Sequence, residues 1–215
     1  MTPSLIIFDC DGVLVDSEIL SAEVLIAQLA RLGIEITIAD VYRDFLGRSF
    51  PTVAKVMRES FATTLPHDFE QEYRARLLAE FETRLHPTDG LAEMLEGLDL
   101  PRCVATSSSP PRVARALSVT GLDRYFEHVF TASQVANGKP APDLFLFAAE
   151  QMGADPARTL VIEDSLPGLA AARAANMPVL RYTGASHLRG QDGLDTPGVP
   201  CFADWRQFHA QMAGL

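Results

Sequence analysis

The chain has 215 residues and a formal net charge of -10, with 47% hydrophobic and 21% charged residues. This composition is that of a folded globular protein and argues against disorder. The acidic balance argues against nucleic acid or an anionic membrane as partner, although a local basic pocket for a phosphate remains possible.

The length suits one domain plus a smaller appendage. Cys10, Cys103 and Cys201 are widely spaced with no CxxC pair, which fits reduced thiols, a cytoplasmic setting and no structural zinc. The amino terminus runs straight into a strand, without a basic segment and apolar secretion region, and no apolar run reaches the roughly 18 residues of a membrane span. The expectation is a cytoplasmic monomer whose partner is a small molecule.

Leu5 to Phe8 is a short apolar run rich in β-branched and aromatic residues, the pattern of a strand buried on both faces of a parallel sheet. Asp9 and Asp11 follow at its carboxyl end, where open α/β sheets bind ligands. Cys10 points back into the protein, and Gly12 permits a sharp turn. Two carboxylates so close imply either a shared proton or a hard cation between them, and oxygen-only ligands favour Mg²⁺.

Glu18 to Leu32 carries Leu20, Val24, Leu25, Leu29 and Leu32 at helical spacing and ends before Gly33. Further helices are expected at Ile38 to Phe45, Thr52 to Phe61 and Asp68 to Arg84, the last with a stripe of Phe69, Tyr73, Leu77, Leu78 and Phe81 read as internal packing. Residues 17–85 therefore form an inserted all-helical unit without a strand.

From Pro87 helix and strand alternate, which signals βαβ units. The expected order is helix Thr88 to Leu98, strand Cys103 to Thr106, helix Arg112 to Thr120, strand His128 to Thr131 and helix Leu144 to Met152. Strand Thr159 to Ile162, helix Leu166 to Asn176, strand Pro178 to Tyr182, an edge strand near Val199 to Phe202 and a helix from Asp204 complete it. The fold class is α/β: a Rossmann-like parallel sheet core flanked by helices, residues 1–16 and 86–215, with a helical cap domain inserted at 17–85.

Each main strand or the loop after it ends in a polar cluster: Asp9 and Asp11, then Thr106 to Ser108, then Lys139, then Glu163 and Asp164. In a parallel sheet these ends share one edge, so the groups converge in one crevice. Each cluster alone has a plain role as a helix cap, first-turn acid or solvated charge. The set contains a nucleophile, a second acid, hydroxyls, a cation and metal ligands.

Asp9-x-Asp11-Gly12 with Val13-Leu14-Val15-Asp16-Ser17, the Thr106-Ser-Ser cluster, Gly138-Lys139-Pro140-Ala141-Pro142-Asp143 and Glu163-Asp164-Ser165 resemble the four motifs of the haloacid dehalogenase superfamily. The resemblance spans nearly the whole chain. The insertion resembles the cap of the branch containing β-phosphoglucomutase, phosphoglycolate phosphatase and sugar-phosphate phosphatases. It implies a phosphoric monoester hydrolase acting through an aspartyl-phosphate on Asp9, with Asp11 as acid and base. Thr106, Ser107 and Lys139 would bind phosphate. Asp9, the Asp11 backbone carbonyl and Asp164 would hold Mg²⁺, with Glu163 a direct or outer ligand.

Asp11 argues for phosphate esters over haloacids, because dehalogenases proper lack that second aspartate. Ser21 stands where the mutase has a histidine, which favours a phosphatase of a small sugar phosphate or phosphorylated sugar acid over a phosphosugar mutase. A phosphorylation-switch or binding module is the remaining alternative. Gly47-Arg48-Ser49, between two cap helices, is the candidate specificity segment, since Arg48 offers a planar fork for an anion or hydroxyl cluster.

Overall fold

The structure, a computed structural model, describes residues 3–45, 50–61, 64–189 and 196–214, apart from the side chains of residues 51, 60 and 61. Its first strand β1 (Leu5–Phe8) is buried along its whole length. Alternation sends Leu5 and Ile7 into one core and Ile6 and Phe8 into the other, which is why the run is apolar throughout instead of every second residue.

Four helices follow: α1 (Glu18–Ala30), α2 (Ile38–Asp44), α3 (Phe50–Phe61) and α4 (Phe69–Arg84). No strand interrupts them among the described residues. Thr37 caps α2 reciprocally with Asp40, a local signal that fixes its start. The stripe Phe69, Tyr73, Leu77 and Phe81 is buried as its spacing predicts. Leu78, one position round the helix, is only partly buried.

The remaining strands β2 (Arg102–Thr106), β3 (Val129–Thr131), β4 (Thr159–Glu163), β5 (Val179–Tyr182) and β6 (Cys201–Phe202) join β1 in one parallel sheet, in the order β3-β2-β1-β4-β5-β6. The helices α5 (Leu91–Glu96), α6 (Pro110–Thr120) and α9 (Phe208–Ala213) pack on the Ile6 and Phe8 face, while α7 (Asp143–Gln151) and α8 (Leu166–Ala174) cover the other. The strand order reverses beside β1, which places the sheet's crevice at the carboxyl ends of β1 and its neighbours. No helix among the described residues is long and apolar enough to cross a membrane.

Most departures from the sequence reading lie at element ends. α5 begins at Leu91 and not Thr88, because Gly90 sits at φ +82° and Thr88 is engaged elsewhere. α8 stops at Ala174, with Asn176 in the left-handed region at φ 56°. After Asp204 a short 3-10 turn, Trp205–Gln207, precedes α9.

Two strands of chain connect the helical insertion to the sheet, and they run side by side. Val15 pairs with Pro87, the Asp16 amide donates to His86 O at 3.0 Å, and the Thr88 amide donates to Leu14 O at 3.0 Å. The Thr88 hydroxyl donates to Val13 O at 2.6 Å and accepts from the indole of fully buried Trp205 at 2.9 Å. One hydroxyl thus ties the loop after β1 to the 3-10 turn before α9. Thr88→Val, nearly isosteric, strands a buried donor and a buried acceptor and should cost about 2 kcal/mol or more in urea unfolding; a loss within about 0.5 kcal/mol shows that the tie does not matter.

Candidate active site

The register of β1 builds the site. Phe8 faces Val104 on one side and Ile162 on the other, so Asp9 leaves the sheet between β2 and β4, with its amide bonded to Ile162 O at 3.0 Å. Cys10 turns fully inward, and its carbonyl accepts from the amides of Leu14 at 2.9 Å and Val15 at 3.1 Å. Gly12 sits in this turn at φ +76°, and a Cβ there would lie 2.2 Å from Asp164 Oδ2. Both the backbone and the space require glycine.

Lys139 reaches in from the loop after β3, its side chain only 1% exposed. Its ammonium donates to Asp9 Oδ1 at 2.9 Å, Glu163 Oε1 at 2.7 Å and Ala105 O at 3.1 Å. Burial favours loss of the lysine proton, but the charges of Asp9 and Glu163 outweigh it and hold Lys139 protonated beyond the usual lysine range. Glu163 Oε2 accepts from the Asp164 amide at 2.9 Å, the Ser165 amide at 2.8 Å and the Ser165 hydroxyl at 2.9 Å. A Cβ on Gly168 would fall 1.7 Å from Glu163 Oε1, so α8 closes directly over this carboxylate.

Asp9, Glu163 and Asp164 each place a carboxylate oxygen within 4.8 Å of the others, all three buried. Burial raises the pKa of Asp9 despite Lys139, and burial together with the Glu163 charge raises that of Asp164. Asp164 Oδ1 is buried with no hydrogen-bond partner. A raised pair of acids and an orphaned hard oxygen fit a divalent cation, which would lift both penalties at once. His187, fully buried, sets Nε2 3.1 Å from Asp164 Oδ2, and burial lowers its pKa.

Asp11 lies in a separate network. Arg112 Nη2 is 2.6 Å from its Oδ1, and the hydroxyls of Ser17 and Ser108 donate to its two oxygens. Burial alone would raise this carboxyl, but Arg112 and the hydroxyls overcome it and hold Asp11 below the ordinary carboxylate range. Thr106, 1% exposed, accepts from the Ser108 amide at 3.0 Å and so shapes the turn that presents Ser107 and Ser108.

A cavity of about 270 Å³ opens above these groups, lined by Asp9, Asp11, Thr106 and Ser107 on its floor and by α1, α2, α3 and α4 on its walls. Of the stripe on α4, Tyr73 and Leu77 face this space as well as the core, and Leu78 joins them. The structure therefore brings Asp9, Asp11, Thr106, Ser107, Lys139, Glu163 and Asp164 to one place. Gly47, Arg48 and Ser49 lie outside the described residues.

Sequence reasoning missed Arg112, Glu18 and His187 as neighbours of the acids, and placed Ser17 and Ser108 only within their motifs, without their bonds to Asp11. Ser17 and Arg112 carry a weak signal: each opens a helix directly after a strand-end motif, where first-turn side chains face the crevice. His187 has none, because it comes from a short 3-10 turn after β5.

The profile of the haloacid dehalogenase-like hydrolase family matches residues 3–176. The chain belongs to that family. This haloacid dehalogenase-like hydrolase is 25% identical to the 6-phosphogluconate phosphatase of Escherichia coli over 85% of its own length and 83% of the relative's. It is 30% identical to a fructose-1-phosphate phosphatase of the same bacterium, over 80% of this chain and 92% of that one. Its fold matches that of a haloacid dehalogenase-like protein of unknown function from Agrobacterium tumefaciens with a TM-score of 0.82, at 34% identity and covering 98% of both chains.

Glu18 opens α1 on the cavity wall, and burial, with the charge of Asp11, pushes its pKa up to about 8. The folded state then binds a proton that the unfolded state releases near pH 4.5, so this residue makes stability fall as pH rises from about 4.5 to 8. Glu18→Gln should flatten that decline in denaturant titrations and leave the variant the more stable form at pH 8. An unchanged slope contradicts the shift.

Proposed function

We propose that this hydrolase is a Mg²⁺-dependent phosphatase that cleaves a small phosphorylated metabolite through an aspartyl-phosphate on Asp9. The observation that carries the reading is the pairing of two differently held aspartates at one strand end: Asp9 beside a protonated lysine and the acid cluster, Asp11 in a network of its own. A phosphate ester has a poor leaving group, and a covalent step divides one hard displacement into two easier ones.

Asp9 attacks phosphorus, and its Oδ1 contact with Lys139 aligns the carboxylate while the ammonium offsets charge on the phosphoryl oxygens. Asp9, Asp164 and the Asp11 carbonyl would hold Mg²⁺, which supplies charge neutralisation at the transferring phosphoryl group. Both oxygens of Glu163 already accept hydrogen bonds, which supports an outer role in which it fixes Lys139. Thr106 and Ser107 bind phosphoryl oxygens from the floor of the cavity.

Asp11 gives a proton to the leaving oxygen and later takes one from water. Arg112, Ser17 and Ser108 stabilise its anionic form, the one that activates water in the second step. Proton donation in the first step requires the protonated acid to leave that network and face the ester. Ser21, whose hydroxyl accepts from Arg112 at 2.9 Å and lines the cavity, offers no imidazole for a mutase cycle, which supports hydrolysis.

Residues 17–85 act in this reading as the cap over a core of residues 1–16 and 86–215, and the protein works as a cytoplasmic monomer. The esters for which the relatives are named, 6-phosphogluconate and fructose 1-phosphate, are the first to assay. Gly47-Arg48-Ser49 lies in the stretch between Phe45 and Phe50, both of which line the cavity, and is proposed as a specificity segment.

Asp9→Asn keeps the shape of the side chain but cannot attack phosphorus. With p-nitrophenyl phosphate and Mg²⁺ it should show no turnover above a trace, with an unchanged circular dichroism spectrum; substantial metal-dependent release would refute the assignment. Arg48→Ala should raise KM about tenfold for an ester that carries a second anionic group, in parallel assays of both proteins. Equal KM values across such esters would place specificity elsewhere in the insertion.

A further inference from the structure

The walls of the cavity differ in chemistry from its floor. Above the acids and hydroxyls the space is bounded by Leu25, Val41, Phe45, Phe50, Val53 and Leu77, drawn from all four helices of the insertion. Most polar side chains that face this space already have partners, although the buried Arg112 Nε has none. Tyr73 donates to Ser21 O at 3.5 Å, and the Ser21 hydroxyl donates to Ser17 O at 2.8 Å while it accepts from Arg112. Arg74 is held by Glu70 and Ser109, and Arg112 by Asp11. Glu18 also lines the space and adds one hydrogen-bonding group.

A polyol in this space would bring several hydroxyls against hydrocarbon. Each buried hydroxyl without a partner lowers affinity by about tenfold, whereas each methylene placed on such a wall raises it by about fourfold. Among the described residues the walls thus favour carbon over hydroxyl.

We infer that the part of the substrate beyond the phosphate presents an alkyl or aryl segment to the described walls of the helical insertion. This rests on the phosphatase reading and narrows its substrate class away from the sugar phosphates named for the relatives. The floor reads the phosphate, and α1 to α4 read an apolar body.

The test uses the full chain with Mg²⁺ and two homologous series. Ethyl, n-butyl and n-hexyl phosphate share nearly the same leaving-group acidity, as do glycerol 3-phosphate and glucose 6-phosphate, so differences in kcat/KM report what the walls contact. The hexyl ester should exceed the ethyl ester by on the order of a hundredfold and also exceed glucose 6-phosphate. The matching alkylphosphonates, which cannot be hydrolysed, should show the same rising order of affinity by calorimetry.

Val53→Thr, which keeps the shape and adds a hydroxyl, and Leu78→Asn at a partly buried position should each lower hexylphosphonate affinity severalfold with little effect on ethylphosphonate. A flat phosphonate series, or a polyol ester preferred over hexyl phosphate, overturns the inference even if phosphate is released. A rising phosphonate series that both variants flatten, with no release from any ester including p-nitrophenyl phosphate, upholds it and refutes the phosphatase reading instead. A rising series that neither variant alters means binding away from these walls and also overturns the inference.

Discussion

The ammonium of Lys139 is the contact on which the catalytic edge depends. It sits out of water between Asp9 and Glu163, and a buried cation of this kind persists only where opposite charge and hydrogen-bond acceptors surround it. Meeting that requirement draws together the loop after β3, the carbonyl of Ala105 on β2, the residue that follows β1 and the last residue of β4. The Phe145 ring of α7 completes the enclosure, 4.8 Å from the ammonium nitrogen. Gly168 then lets α8 approach Glu163 without a side chain in the way.

The same constraint separates the two aspartates. Asp9 is committed to the lysine side, whereas Asp11, two residues on and past the inward Cys10, is committed to Arg112 at the start of α6 and to Ser17 at the start of α1. Opposed environments drive their proton affinities apart, and groups so separated can take different chemical parts. The division arises from the direction in which each side chain leaves the Cys10 turn, and so from the register of β1 against β2 and β4.

Much of this was legible in the sequence for a definite reason. Six strands in a parallel sheet put their carboxyl ends on one edge, so the acids and hydroxyls at the ends of β1, β2 and β4 converge once those strands are recognised, and each is a short β-branched run. Arg112 carries only a weak signal as the partner of Asp11: it lies in the first turn of α6 after the end of β2, but its reach to Asp11 depends on how α6 leans against α4. The start of α5 was misplaced because Thr88 has helix-compatible neighbours but its hydroxyl is claimed by Val13 and Trp205, residues far away in sequence. Tyr73, Leu77 and Leu78 show a further limit: helical periodicity announces an apolar face, and cannot distinguish a face that meets other helices from one that also bounds a cavity.

Charge balance joins these features to the chemistry. In the site, Asp9, Asp11, Glu163 and Asp164 face the cations Lys139 and Arg112, an excess of two negative charges when all four acids are ionised. Burial resists that excess, which is why the pKa values of Asp9 and Asp164 rise while Asp11, with a full cation of its own, stays ionised. A phosphate dianion would add to the excess. Protons on Asp9 and Asp164 could relieve it, but a protonated Asp9 is no nucleophile. In the proposed mechanism a divalent cation would relieve it and leave Asp9 ionised, which is how the charge arrangement of this chain's own residues supports metal over protons as the group that readies the site for an anionic ester.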